Sequence, residues 1–213
     1  MPDAYTCFEA LSRRQVRDKD YRIRIARGSG DVAVMAIHGG GIEPGTTEIA
    51  EAVAAGGHGF YTFSGLKSSG NADLHITSRQ FDEPSGVALA ARARTVVTIH
   101  GCREKEPLVY IGGRDEHLKQ ILKRSLQRAG FTVEQTPRFP GRHPRNICNR
   151  CRSGRGVQLE ISAGLRRSLF EDLARTGRKK KMRPRFFEFI AAVQEALQDG
   201  IAAGRPAKND IGG

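Results

Sequence analysis

Two short runs, Asp31–Ile37 (DVAVMAI) and Arg94–Ile99 (RTVVTI), constrain the fold of this 213-residue chain more than any other feature. The first is apolar almost throughout, and the second, though it carries Arg94 and two threonines, lacks the alternation of a one-sided strand, so each reads as covered on both faces. Strands of that kind belong in a sheet sandwiched between helices, and helical stretches do separate the apolar runs here. Tyr21–Ala26 (YRIRIA) alternates apolar and basic residues and reads as an edge or one-sided strand. Further strands are predicted at Gly59–Phe63, Leu74–Ser78, Leu108–Gly112, Phe131–Gln135 and Gly156–Ile161. Helices are predicted at Glu48–Ala55, Asp115–Ala129, Gly164–Arg175 and Arg185–Gln198. In the second of these, Leu118, Ile121, Leu122 and Leu126 form the apolar stripe, Lys119 faces elsewhere, and Gly130 supplies the stop. The expected fold class is α/β: an open, mixed, mostly parallel sheet with helices on both faces. It makes one domain over residues 1–200, followed by a flexible Gly- and Pro-rich tail at 201–213.

Both apolar strands end in histidine followed by glycine, at His38 and His100, and a third, GVQLE, ends in Glu160. Open parallel sheets hold their ligands beyond the carboxyl ends of the strands, so the three ionisable residues point to one shared site. The stretch His38-Gly39-Gly40-Gly41-Ile42-Glu43-Pro44-Gly45 has too many glycines, and then a proline, to continue as a helix. On such a loop His38 and Glu43 can turn back toward one point. Two imidazoles and a carboxylate with an open fourth position form the ligand set of catalytic zinc sites, and Glu160 is the best-placed proton shuttle. Spacing alone leaves alternatives open. A strand-end histidine is usually a hydrogen-bonded structural residue, Glu48 rivals Glu43 as a ligand, and Glu160 has many arginines to pair with.

The segments AIHGGGIEPGTTEIAEAVA, FSGLK…GNADLHITSRQFDEP, VVTIHGC and NICNRC…GVQLEIS…LR follow one another in an order that resembles the phage-associated poly-γ-glutamate hydrolases. The resemblance runs from about Asp20 to Arg167. It implies a sheet core like that of zinc carboxypeptidases, one Zn2+ ion held by His38, Glu43 and His100, and Glu160 as general base and acid. These are the three strand-end residues together with Glu43 of the glycine loop. Asn149-Arg150 resembles the Asn-Arg pair with which zinc carboxypeptidases hold a substrate carboxylate, and Arg145 lies just before it. Arginine suits that role because its planar fork grips a carboxylate with two parallel hydrogen bonds. The implied activity is hydrolysis of γ-glutamyl amide bonds, with small N-acyl amino acids as the alternative substrates.

Charge fits such a substrate. Lys and Arg total 35 against 23 Asp and Glu, a net charge of +12, which favours a polyanionic partner. The expected partner is a glutamate polymer or another carboxylate-bearing amide. A basic phage replication protein that binds nucleic acid is the reading from another class. It has only the charge and the run Arg178–Arg183 behind it, without tryptophan or an aromatic stacking platform. That run reads first as a solvated loop. No stretch is apolar enough to span a membrane, and the N-terminus lacks the apolar centre of a signal peptide. Synthesis in the cytoplasm is therefore expected, with release by host lysis if the target is extracellular. Nothing in the chain specifies an oligomeric state. Cys148-x-x-Cys151 has no partner pair and reads as packing, as does Cys102 beside the site. Asn71, His75, Asp82 and Glu83 form a further motif-like stretch, in which His75 either lines the cleft or supports it.

Overall fold

The computed structural model describes residues 3–28, 31–173 and 181–203. Its seven strands are β1 (Tyr21–Ala26), β2 (Val32–Gly40), β3 (Gly59–Gly65), β4 (Thr95–Cys102), β5 (Leu108–Gly113), β6 (Thr132–Glu134) and β7 (Val157–Ser162). They form one sheet in the order β1-β3-β2-β4-β7-β5-β6. Only the β1–β3 and β7–β5 pairs are antiparallel; the other four are parallel, as a mixed, mostly parallel sheet requires. The six helices are α1 (Phe8–Ser12), α2 (Thr46–Ala54), α3 (Pro84–Arg92), α4 (Glu116–Arg128), α5 (Ala163–Leu169) and α6 (Pro184–Ala203).

The core divides at the sheet. On one face Val34, Val97, Val109, Leu159 and Ile161 pack against α2, α4, α5 and α6. On the other Met35, Ile37, Tyr61, Phe63 and Val96 pack with Leu11, Ile76, Phe81, Ile147 and Cys148. This two-sided cover explains why β2 is buried at every position. At the sheet margin β1 is half exposed, as its alternation predicts.

Local chemistry accounts for the boundaries. Asp115 caps α4 by accepting from Leu118 N–H at 3.0 Å, and Gly130 follows it with a φ of 75°. Helix α3 was not predicted. It starts where Pro84 fixes the first helical φ and Glu83 accepts from Ser85 and Gly86 N–H, a carboxylate cap that the Glu-Pro-Ser order encodes. The predicted strand Leu74–Ser78 is instead a 3-10 turn (Asn71–Leu74) running into an unpaired extended segment. Its Thr77 N–H goes to the Asp3 carboxylate and its Ser78 carbonyl to Ile147, so no ladder forms. Lys119 also departs from expectation: it is buried, with Nζ on Glu116 Oε1 at 2.9 Å.

The predicted helix Gly164–Arg175 ends at Leu169, with Phe170 extended; residues 174 and 175 lie outside the described part. So do Arg178–Lys180 of the basic run and, of the predicted tail, residues 204–213. Helix α6 continues through 201–203, past the boundary expected at residue 200. Among the described residues no helix is long and apolar enough to cross a membrane.

Candidate metal centre and cleft

The strand order sets β2, β4 and β7 side by side and parallel, so their carboxyl ends open on one edge. His100 and Glu160 are direct partners across β4 and β7, and Tyr110 of β5 stands opposite Glu160 on its other side. His38 arrives from β2 through a register shift between Ala36 and Gly39. Beyond it the glycine loop closes on itself, with Glu43 N–H donating to the His38 carbonyl at 2.8 Å. That closure returns the Glu43 side chain to the imidazole it left.

Each His-Gly pair is glycine for a steric reason. A Cβ on Gly39 would lie 2.1 Å from Thr47 Oγ1 and 2.4 Å from Thr62 Oγ1. One on Gly101 would lie 2.7 Å from the guanidinium carbon of Arg166. Side chains from α2, β3 and α5 fill the two gaps.

Three ligand-type atoms converge at this edge. His38 Nδ1 is 3.1 Å from Glu43 Oε1 and 3.2 Å from His100 Nδ1, and His100 Nδ1 is 3.7 Å from Glu43 Oε2. Tetrahedral ligands at zinc–nitrogen distances of about 2.0–2.1 Å stand roughly 3.3–3.4 Å apart, so the spacing fits such an ion. His38 Nε2 lies 2.9 Å from the Ile76 carbonyl. A proton on Nε2 makes that contact a hydrogen bond and leaves the Nδ1 lone pair facing inward, the arrangement by which backbone carbonyls orient metal-binding histidines. Glu43 Oε2 also accepts from Gly101 N–H at 2.8 Å. His100 Nε2 is buried with no hydrogen-bond partner.

A second grouping overlaps the first. His38, Glu43 and His75 offer ligand atoms within 4.8 Å of one another, a cluster able to hold a metal ion. His75 stacks on His38 with ring centroids 3.9 Å apart. Its Nδ1 bonds Asp3 Oδ1 at 2.7 Å, which leaves Nε2 as the nitrogen that could face an ion; His100 Nδ1 stands at the closer spacing to His38 and Glu43.

Electrostatics follow from burial and crowding. Burial works against the Glu43 charge, but His38 and His100 outweigh it and hold the carboxyl far below the usual range. Burial likewise works against a charged His100, and the Glu160 and Glu43 carboxylates reverse it, raising the imidazole above its ordinary value. Glu160 is shifted upward by burial, with His100 opposing and Glu43 adding to the rise. Burial and the neighbouring His38 lower His75. A buried carboxyl held above its normal range beside a cation-binding cluster is equipped for proton transfer.

The cluster lies in a cleft of about 670 Å3. His38, Glu43, His100 and Glu160 all line it, whereas Asn149, Arg150 and Arg145 do not. Asn149 is buried, donating to the Gly141 and His143 carbonyls and accepting from Gly156 N–H. Arg150 is turned to the Phe81 carbonyl at 2.9 Å. Arg145 is exposed, with its backbone N–H on His143 Nδ1. Of the NICNR stretch Asn146 lines the cleft, and Asn149 and Arg150 support its wall from behind.

Four other arginines do line the cleft: Arg79, Arg103, Arg138 and Arg142. Sequence reasoning passed them over because nothing in their spacing separates them from the other basic residues. Arg138 pairs with Glu104 and lies over the rings of Tyr110 and Phe139, and Arg142 pairs with Glu116. Arg79 and Arg103 have no acidic partner among the described residues.

Gln158 was also missed. Its Nε2 reaches Glu160 Oε1 at 3.4 Å while its Oε1 accepts from Asn146 at 2.9 Å. Asn71 braces the glycine loop's neighbour through Lys67. Asp82 and Glu83 hold α1 and α3. All four cysteines are free, and burial raises the Cys148 thiol out of the reactive range, as packing residues require.

Two histidines and two carboxylates at one sheet edge, in an arginine-lined cleft, form a site able to hold a metal ion beside an anionic ligand. The chain belongs to the poly-gamma-glutamate hydrolase family, which it matches over residues 5–192, and it is a hydrolase of that family. It is 37% identical over 200 residues to the UPF0714 protein YndL of Bacillus subtilis strain 168, covering 92% of this chain and 79% of the relative. The SPbeta prophage-derived UPF0714 protein YoqZ of the same strain is 32% identical over 202 residues, covering 93% and 73%. Among solved structures, a bacteriophage poly-gamma-glutamate hydrolase superposes with a TM-score of 0.91 at 33% identity, over 95% of this chain and all of that one. The zinc-free apo form of YndL gives 0.90 at 35%, over 93% and 99%. An N-formylglutamate amidohydrolase from Ralstonia eutropha shares the fold alone, at a TM-score of 0.53 and 13% identity over 86% and 99%.

Proposed function

We propose that this protein cleaves γ-glutamyl amide bonds of poly-γ-glutamate in a zinc-dependent reaction. The observation that carries the reading is the convergence of His38 Nδ1, His100 Nδ1 and the Glu43 carboxylate beside Glu160. Family membership and the zinc-free description of the YndL structure support it. His38, His100 and Glu43 would hold one Zn2+ ion, which when bound supplies a Lewis acid that polarises a carbonyl and acidifies water.

Glu160 would take the proton of the attacking water and return it to the leaving nitrogen. Its raised proton affinity suits the second half of that task, and Gln158 aims one of its oxygens. The anchoring role first read for Arg150, Asn149 and Arg145 passes to Arg79 and Arg103, the cleft arginines without acidic partners. A γ-linked glutamate chain carries a free α-carboxylate on every residue, so two such anchors set the register of the bond to be cut.

The test is the size distribution of poly-γ-glutamate incubated with the purified protein, with and without a zinc chelator. Shortening that the chelator abolishes is expected. An unchanged polymer with zinc bound to the protein would redirect the reading to a small acylated amino acid. A protein that takes up no zinc would overturn it.

A further inference from the structure

Leu165-Arg166 closes the set of family-like motifs, and nothing in the reaction outlined above uses it. Arg166 is buried at 6% exposure, on α5 directly after β7. A buried guanidinium ordinarily meets a carboxylate. This one makes no ion pair with any described residue; it bonds three backbone carbonyls. Nε donates to Ile161 at 3.1 Å, Nη1 to Pro44 at 2.7 Å and Nη2 to Cys102 at 2.9 Å.

Those carbonyls belong to three separate segments. Ile161 follows Glu160, Pro44 follows Glu43, and Cys102 stands two residues after His100. Each segment carries one member of the proposed site, and Arg166 is the side chain that bonds the backbone of all three. Gly101 has no side chain where the guanidinium passes.

We propose that Arg166 is a positioning residue: its guanidinium ties the Glu43, His100 and Glu160 segments into one fixed geometry. The inference rests on the zinc reading above and goes beyond it, because it assigns the alignment of ligands and base to one side chain that touches neither. The planar fork is what the task demands. One lysine ammonium, a point on a flexible stem, cannot reach three carbonyls in three directions.

Arg166→Lys keeps the charge and removes the fork, so it separates geometry from electrostatics. Zinc affinity, read by competition with a colorimetric chelator, is expected to weaken 10- to 100-fold, as changes behind a metal's ligands commonly do. kcat on poly-γ-glutamate should fall at least tenfold with KM changed less than threefold. Arg166→Ala should lose more, and millimolar guanidinium should restore at least tenfold of its kcat while leaving the wild type unaffected. A general loss of fold would not respond to guanidinium.

Should Arg166→Ala fail to fold, Arg166→Lys alone decides. Zinc affinity and kcat within twofold of wild type in that variant would overturn the proposal. A wild type that bound no zinc would instead overturn the zinc reading itself, so the two failures are distinguishable.

Discussion

Replacing Thr47 by valine removes one hydroxyl at nearly constant volume, and that hydroxyl is central to how the glycine loop is held. Thr47 Oγ1 accepts from Gly40 N–H at 3.1 Å and lies 2.8 Å from Thr62 Oγ1 and 3.0 Å from Ser64 Oγ, all of it buried. Thr62 and Ser64 keep their mutual contact at 3.0 Å in the variant. What valine orphans is the Gly40 N–H and one hydroxyl proton of the ring. Two buried donors left unsatisfied at about 1–3 kcal/mol each, less the gain from an added methyl, give a loss of about 3 kcal/mol. For a chain of this size that lowers Tm by roughly 6–12 °C. The assay is thermal unfolding followed by circular dichroism in chelator, so that metal binding does not mask the change. Thr47→Ser keeps the hydroxyl and should lose less than half as much. A Thr47→Val protein melting within 2 °C of wild type would refute the reasoning, showing that this network does not hold the loop between His38 and Glu43.

Glu160→Gln should lower kcat by roughly 10²- to 10⁴-fold, the usual contribution of a general base, while zinc content stays at the wild-type level; normal turnover would remove Glu160 from the chemistry. His100→Ala should weaken zinc binding at least 100-fold and His75→Ala less than tenfold, because His100 Nδ1 stands at ligand spacing from both His38 Nδ1 and a Glu43 oxygen; the reverse order would make His75 the third ligand. Arg79→Ala and Arg103→Ala should each raise KM for poly-γ-glutamate several-fold with smaller changes in kcat, whereas Arg145→Ala, outside the cleft, should change KM less than twofold. Burial lowers the pKa of His58, whose Nδ1 is buried without a partner. The unfolded chain therefore binds that proton more tightly, and stability is lost as pH falls through about 6.5; His58→Gln should lose less Tm than wild type between pH 8 and pH 5.5.

What the sequence revealed of the fold is whatever depends on burial and backbone chemistry. The apolar runs of β2 and β4 are covered on both faces, and β1, which alternates, lies at the sheet margin. Leu74–Ser78 misled because its alternation is real while its hydrogen-bond partners are side chains from elsewhere, above all Asp3. The same distinction runs through the site. His38, His100 and Glu160 were legible because strand ends in a parallel sheet share an edge, and Glu43 because a glycine loop must fold back. Asn149 and Arg150 were assigned by likeness to a motif, and their bonds to the Gly141, His143 and Phe81 carbonyls are invisible in spacing. Lys119 was set on the wrong side of α4 for a similar reason, since its partner Glu116 lets a charge take a buried position.

The cleft arginines show where the excess charge acts. A net charge of +12 says only that an anion is favoured, and many surface cations contribute nothing to a particular ligand. Inside the cleft the cations separate by partner. Arg138 is paired with Glu104 and pinned across two rings, and Arg142 shares Glu116 with Lys119, so both are engaged in the wall. Arg79 and Arg103 line the cleft from the loops after Ser78 and Cys102 without such a partner among the described residues, which is why they are proposed to take the substrate carboxylate. Arg166 carries a third kind of positive charge, spent on backbone carbonyls and withheld from solvent. The ligand cluster contributes a carboxylate of its own at Glu43, and Glu160 stands a strand away. A divalent ion held by His38, Glu43 and His100, as proposed, would offset the repulsion that an incoming polyanion otherwise meets at the bond to be cut. Binding of the polymer and binding of the ion should for that reason reinforce each other, with polymer affinity falling when zinc is removed even in the Glu160→Gln protein, where no turnover intervenes. Equal polymer affinity with and without zinc in that variant would mean that the rim arginines alone hold the chain.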